Sequence, residues 1–450
     1  MRKSQQDFTS GNIPKQLVLF SGPIMFTQLL QVSYQFADSI WVGNLLGANA
    51  LGAVAVSSTV IFTILSFIIG INNTTLTVLS QQKGKDDDQG LKDYLNAFVV
   101  TLFFMAIVLG MVGYLVAEPI LRLLGTPESM LDSATGYLKI NALGILFLLG
   151  YNFIGTVLRA LGDSKTPMRF VLLAVILNII LDPLFISVFN WGVDGAAYAT
   201  VASQGIAFLY GIYFVLRKKL APFSIPYLPK WDEVKLILHL GIPSGLQMSV
   251  ISAGIAAIMS VVTSHGEDVV AGFSAAQRLD SLFMLPAHAL GTAVNSMAGQ
   301  NIAVQKWDRV KKIAWYGFWY NALIMFILAI VIVLFADFGI RLFIQDAEAV
   351  QFGGKYLAII AFFYPFLGVN FVLNGVVRAS GAMYQVLALN LISFWILRYP
   401  LTYVGSALFG ETGIGIGMGL SFVISSVLAF LYYRYGNWKY KQIFKEKESK

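Results

Sequence analysis

The sequence predicts an all-α integral membrane protein with twelve transmembrane helices in two pseudo-symmetric six-helix lobes. Three observations predict it. Charged residues are 12% of the 450 and hydrophobic residues 57%, whereas a soluble domain carries about 25% charged residues. Apolar runs of about twenty residues, the length of helix that crosses a bilayer core, recur along the whole chain. The basic residues collect in alternate loops, as they do between spans that thread back and forth.

Composition also closes off several classes of function. Cysteine is absent, so no disulfide framework, thiolate metal site or cysteine nucleophile is available. The three histidines, His239, His265 and His288, are scattered without metal-ligand spacing, and no metal site is expected. The opening MRKSQQDFTSGNIPKQ is too polar for a signal peptide and no small-x-small cleavage site follows, so the first apolar run is expected to be retained.

Helices are predicted at 17–43, 51–79, 94–117, 132–156, 168–188, 195–216, 238–263, 269–300, 314–336, 355–376, 384–406 and 413–435. One set of connections, with the two ends, holds 25 of the 31 Lys and Arg; the other set holds only Arg122, Arg341 and Lys355. The positive-inside rule then places both termini in the cytoplasm. It also accounts for the formal charge of +7 through topology and anionic headgroups, and nucleic-acid binding is not expected. The predicted organisation is an N-lobe at 1–216, a cytoplasmic linker at 217–237, a C-lobe at 238–436 and a basic cytoplasmic tail at 437–450. The linker, with three prolines, reads as an extended strap.

Sliding the chain on itself by 217 to 220 residues aligns Pro23 with Pro243, Tyr137 with Tyr356 and Pro183 with Pro400. It also sets RALG at 159–162 against RASG at 378–381. Six helices per repeat is an even number, so the two halves enter the membrane in the same sense. Parallel repeats of this kind are a transporter architecture in which one half rocks against the other.

A charge at bilayer depth costs roughly 3 kcal/mol or more, so each one needs a reason. On the first helix Thr27, Gln31, Tyr34 and Asp38 are spaced by four, three and four and share a stripe. Pro23 lies below that stripe, where it removes a backbone donor and invites a bend. The fifth helix carries Asn178 and Asp182 on one face, and the sixth carries Thr200. All sit roughly 8–9 Å below the outer edge at 1.5 Å per residue. One polar cluster is therefore expected. Two carboxylates close together do not both ionise cheaply, which suits a site that takes up a proton. On the repeat offsets these positions face Ile258, Tyr399, Trp395 and Met418, so the cluster belongs to the first half only.

The second half carries Arg278 and Asp280 on its second helix and Arg398 on its fifth. Asp280 is expected to pair with an arginine in a structural ion-pair group, with a substrate contact as the competing reading. Met248 and Met284, soft and adaptable, are candidates for a cavity wall, together with Gln31, Arg278 and Asp280.

These motifs resemble the multidrug and toxic compound extrusion (MATE) transporters across essentially the whole chain. The resemblance rests on GPI at 22–24, YQFADSIWVG at 34–43, RALGDSKTPM at 159–168, NIILDPLFI at 178–186 and GVDGAAYAT at 192–200. The run AAQRLDSLFMLPAHALGTAVNSMAGQN at 275–301 is similar to the branch called DinF-like. The resemblance implies two lobes around a cavity open to one side at a time, and export of lipophilic, often cationic compounds in exchange for H⁺ or Na⁺. It implies coupling through Asp38, Asn178, Asp182, Thr200 and Tyr34, with Pro23 as the bend. The family's other pattern places acids on helices 7 and 10; here helix 7 has none and helix 10 offers only Asn370 and Asn374, which leans toward protons through the N-lobe. The same N-lobe oxygens also suit Na⁺, and a related lipid or glycolipid flippase is the further alternative. No nucleotide-binding motif or nucleophile–base pair is present, so no cofactor and no enzyme activity are expected. A monomer in a bacterial plasma membrane is expected.

Overall fold

The structure is a computed structural model that describes residues 5–441 and 443–444, and among the described residues there is no strand. Arg2, Lys3, Lys445, Lys447 and Lys450 of the predicted basic ends lie outside the described residues. In lipid each backbone N–H and C=O must be satisfied within its own segment, which leaves helix as the solution for apolar runs of this length. The helices are α1 (Ile13–Leu46), α2 (Ala48–Gly84), α3 (Asp88–Leu123), α4 (Glu128–Leu143), α5 (Ile145–Ala160), α6 (Lys165–Pro183), α7 (Gly192–Lys218) and α8 (Trp231–Thr263). Then follow α9 (Glu267–Phe283), α10 (Leu285–Ala303), α11 (Trp307–Arg341), α12 (Ala347–Ala361), α13 (Tyr364–Ala379), α14 (Met383–Leu391), α15 (Tyr399–Phe409) and α16 (Thr412–Tyr435).

Among the described residues nine helical stretches are long and apolar enough to cross a membrane, or eleven if each of two bent pairs is one span. The bends are 48° between α4 and α5 and 54° between α12 and α13. The predicted spans 132–156 and 355–376 are thus each two helices. The predicted span 269–300 is also two helices, α9 and α10, broken at Met284. It is not among the stretches long and apolar enough to cross, and it carries Gln277, Arg278, Asp280, Asn295 and Gln300. A π-helical segment, Leu184–Val188, follows Pro183 at the end of α6. Proline removes the donor that an unbroken α ladder would use there, and the wider turn absorbs the mismatch. A second π segment, Ile392–Arg398, joins α14 to α15 just before Pro400.

Polar starts are fixed by carboxylates. Asp87 accepts from the Gly90 N–H at 2.8 Å to open α3. Asp163 accepts from the Lys165 and Thr166 N–H groups at 3.1 and 3.0 Å at the start of α6, and Asp346 caps α12 through Ala349 at 2.9 Å. Each satisfies donors that the first turn of a helix leaves free.

The chain forms two compact units. Unit 1 is made of the described residues of Met1–Asp7 and Phe26–His239, and unit 2 of those of Phe8–Met25 and Leu240–Lys450. The division by packing therefore runs through α1 and α8, near Pro23 and Pro243, and not through the linker. Phe8, Leu17 and Phe20 of the leading segment are buried in a core with Met297, Ile313 and Trp438 of unit 2. Between α7 and α8 the linker is non-helical only as far as Lys230, since α8 begins at Trp231. In unit 1 it is tied to α3 by Asn96, whose side chain donates to the Tyr227 carbonyl at 2.8 Å and accepts from its N–H at 3.0 Å.

Candidate functional site

Unit 1 brings together the polar residues that the sequence places at one depth. Asp38 of α1 is 7% exposed, Asn178 and Asp182 of α6 are fully buried, and Thr200 of α7 is buried. Asn178 donates from Nδ2 to Asp182 Oδ1 at 3.0 Å, the i,i+4 contact that their spacing predicts. Asp38 and Asp182 lie within electrostatic reach of one another, and Tyr34 lies within reach of both. Tyr34 also approaches Thr200, though neither hydroxyl meets hydrogen-bond geometry.

The cluster is under-satisfied by the protein. Tyr34 Oη, Asp38 Oδ1, Asn178 Oδ1, Asp182 Oδ2 and Thr200 Oγ1 are all buried without a hydrogen-bond partner. A buried polar atom left unpaired costs about 1–3 kcal/mol, and more when charged. Five such oxygens on three helices make a pocket of acceptors whose chemistry fits a proton or a small cation.

Tyr137 of α4 completes the cluster; it is buried and lies within reach of both Asp38 and Asp182. Sequence reasoning missed it because it sought residues that lack a counterpart, and Tyr137 has one in Tyr356. Gln31, on the α1 stripe, donates to the Tyr151 hydroxyl at 2.9 Å. Pro23 lies inside α1, whose helical assignment passes through it unbroken. It stands two residues before the point where α1 leaves the packing of unit 2 for that of unit 1.

Of the matching positions in unit 2, Ile258 and Met418 are apolar and buried, Tyr399 is partly buried, and Trp395 is exposed and donates to the Val250 carbonyl at 3.3 Å. Ile258, Tyr356 and Met418 are buried in one large core cluster, and the Tyr356 hydroxyl meets the Met418 sulfur at 3.4 Å. Met284 is buried in this core at the α9–α10 break, and Met248 is partly buried on α8.

The expected ion pair of Asp280 with an arginine is not formed. Among the described residues no salt bridge includes Asp280, Arg278 or Arg398. Arg278 and Asp280 are two residues apart on α9, and side chains at that spacing do not face each other. Arg278 is exposed, over the Phe343 ring at 5.9 Å. Arg398 is buried between the rings of Phe394 and Phe422, at 3.8 and 4.5 Å, and its Nε donates to Ser421 at 3.3 Å. Cation–π contacts hold this guanidinium in place of a carboxylate. Asp280 accepts instead from the Tyr364 hydroxyl.

Comparison with known proteins identifies the architecture. The chain matches the MatE family twice, over residues 23–184 and 243–404. It belongs to the MATE family. The two matched stretches are the two repeats, offset as the self-alignment predicts. A relative in Bacillus subtilis (strain 168), "Probable multidrug resistance protein YpnP", is 63% identical over 441 residues, covering 98% of this chain and 99% of the relative. "Probable multidrug resistance protein YoeA" of the same organism is 30% identical over 441 residues, covering 95% of each. The fold also matches a solved structure described as "Outward-facing conformation of a multidrug resistance MATE family transporter of the MOP superfamily", with TM-score 0.91 and 24% identity, over 96% of this chain and 98% of that one. As a MATE transporter the chain is a multi-pass membrane protein of the multidrug-efflux class and not an enzyme.

Proposed function

We propose that this MATE protein is a proton-coupled antiporter that exports lipophilic, often cationic compounds by alternating access. The observation that carries the reading is the five unpaired oxygens around Asp38 and Asp182 in unit 1. Two carboxylates within reach of each other in a low-dielectric site favour uptake of a positive charge. A proton arriving from outside competes with a cationic substrate for Asp38 and favours its release. Tyr34, Tyr137, Asn178 and Thr200 position the carboxylates and take part in the proton's hydrogen bonding. Pro23, close to where α1 passes between the two packing units, is the hinge that lets the outer part of α1 respond. The emptied, protonated transporter returns inward and gives up its proton. In this reading α9 and α10 make the twelfth crossing, the lobes at 1–216 and 238–436 are the moving parts, and both termini lie in the cytoplasm of a bacterial cell. No cofactor is required, and the protein works as a monomer.

One observation favours a second reading. The unpaired atoms are all oxygens, from two carboxylates, an amide, a hydroxyl and a phenol, and hard cations prefer such a set. Na⁺ would then be the counter-transported ion at the same site. Efflux of tetraphenylphosphonium from proteoliposomes, with pH and Na⁺ gradients imposed separately, decides between them. Export driven by the pH gradient without Na⁺ supports proton coupling; export that follows only the Na⁺ gradient replaces it.

A further inference from the structure

The missing ion pair leaves a carboxylate to be explained. Asp280 sits in α9, and an ionisable side chain within a membrane helix costs roughly 3 kcal/mol or more unless it faces the protein interior or water. Helical geometry puts Gln277, Asp280, Ser281 and Met284 on one face. On it Ser281 is exposed and Gln277 and Asp280 are partly exposed. The α9–α10 stretch is not among those long and apolar enough to cross a membrane. Around Asp280, Tyr364 of α13 donates to one carboxylate oxygen, and Tyr356 of α12 lies within electrostatic reach. Arg278, on the same helix, points elsewhere, and Arg398 is engaged with Phe394, Phe422 and Ser421. Asp280 is thus held by Tyr364, has no arginine partner among the described residues, and is partly exposed.

We propose that Asp280 is a specificity-determining residue of unit 2, a carboxylate oriented by Tyr364 that recognises the charge of an exported organic cation. The proposal rests on the export reading above and names a recognition point separate from the unit 1 cluster. A small inorganic cation is a poor fit, because hard ions gather about six oxygens, whereas among the described residues Tyr364 alone is hydrogen-bonded to Asp280. A lipophilic organic cation needs one counter-charge and tolerates aromatic neighbours.

The test is equilibrium binding to purified protein, without any gradient, of tetraphenylphosphonium and of uncharged triphenylphosphine oxide. Asp280→Asn is expected to weaken phosphonium binding by about tenfold, the loss of one favourable charge contact of roughly 1.4 kcal/mol, and to weaken the oxide much less. Asp280→Glu is expected to recover part of the loss. Equal losses for the two probes, or none for the phosphonium, overturn the proposal. So does a variant that keeps phosphonium affinity but changes the number of protons released on binding, since Asp280 would then be a proton carrier. If Asp280→Asn does not fold, Tyr364→Phe decides, because it keeps the carboxylate and removes only its orientation: a selective loss of phosphonium affinity supports the role, and an unchanged ratio of the two affinities removes it. Wild-type protein that exports the phosphonium yet shows no such selectivity in the variants separates failure of this inference from failure of the export reading.

Discussion

The two halves of this transporter share a topology and spend it differently. Around Asp38, unit 1 gathers two carboxylates, an amide and hydroxyls with five unpaired oxygens. At the matching place unit 2 packs Ile258, Tyr356 and Met418 into its largest apolar cluster. In unit 1 Val42, Tyr137 and Ile186 form one small apolar group beside the polar cluster and Tyr151, Val171 and Ala207 another. Duplication supplied two equal frames. Buried oxygens left unpaired cost stability, which is sensible only where they do work.

Exchanging residues across the repeat is the most direct way to break this contrast. Asp38→Asn removes the proton acceptor and leaves a side chain of the same size. Drug accumulation driven by a pH gradient in proteoliposomes is expected to fall to the level of empty liposomes, because a ligand that no longer distinguishes the two states shifts nothing. Full drug-for-proton exchange in this variant would sink the assignment. The reverse transplant, Ile258→Asp, puts a carboxylate into the apolar cluster that holds Ile258. It is expected to cost about 3 kcal/mol or more of folding stability, read as a lower melting temperature in detergent, and to gain no second coupling step. A variant as stable as the wild type would show that unit 2 holds latent polar support at Ile258.

Much of this was legible in the sequence, for identifiable reasons. Low charge and repeated apolar runs dictate membrane helices, and the i,i+4 spacing of Asn178 and Asp182 predicts the hydrogen bond that forms between them. What periodicity does not carry is the rotation of one helix against its neighbours. It does not set Asp280 opposite Tyr364, and the expected arginine partner is missing because Arg278 lies over Phe343 and Arg398 is held by Phe394, Phe422 and Ser421. Breaks were hidden for a related reason: an apolar run reads the same whether straight or bent, so the turns at Gly144 and Phe362 left no hydropathy signal. Tyr137 was visible as a repeat match with Tyr356, and an argument built on asymmetry passed over it.

A smaller difference appears where the repeated motif is the same on both sides. Gly162 and Gly381 end RALG and RASG, and both have φ of +87°, a region that costs other residues about 1–3 kcal/mol. Their surroundings differ. A Cβ on Gly162 would strike the backbone of Gln6, whose N–H donates to the Gly162 carbonyl at 3.1 Å. A Cβ on Gly381 would meet only the side chain of Ile443, which is able to turn aside. Gly162→Ala is therefore expected to lower the melting temperature more than Gly381→Ala, and to speed hydrogen exchange at residues 5–8. Equal losses would mean that backbone strain alone matters and the Gln6 contact contributes nothing.

The finest contrast lies in the segments that lead into each half. In unit 2 the Phe8 N–H donates to Gln300 at 3.1 Å and its carbonyl accepts from Asn301 at 2.9 Å, while the ring is fully buried against Phe20. In unit 1 Asn96 grips Tyr227 in the same two-handed way, but that ring is 41% exposed and its hydroxyl donates to Asp93 at 2.7 Å. The Asp93 carboxylate accepting this hydrogen bond, with some burial, pushes the Tyr227 phenol up to about 12 from its ordinary value of 10.0. A group whose folded value is raised stabilises fully below its unfolded value and loses that contribution as pH rises through the folded one. The tie is therefore intact below about pH 10 and gone above about 12, where a phenolate would face a carboxylate. The Phe8 tie has no such group. The melting temperature of wild type should exceed that of Tyr227→Phe by a small margin at pH 9, and the margin should close as pH rises through the interval. No margin at pH 9 would mean that the backbone grip of Asn96, like that of Gln300 and Asn301 on Phe8, holds the linker by itself, and a margin constant to pH 12 would mean that the Asp93 hydrogen bond is not its source.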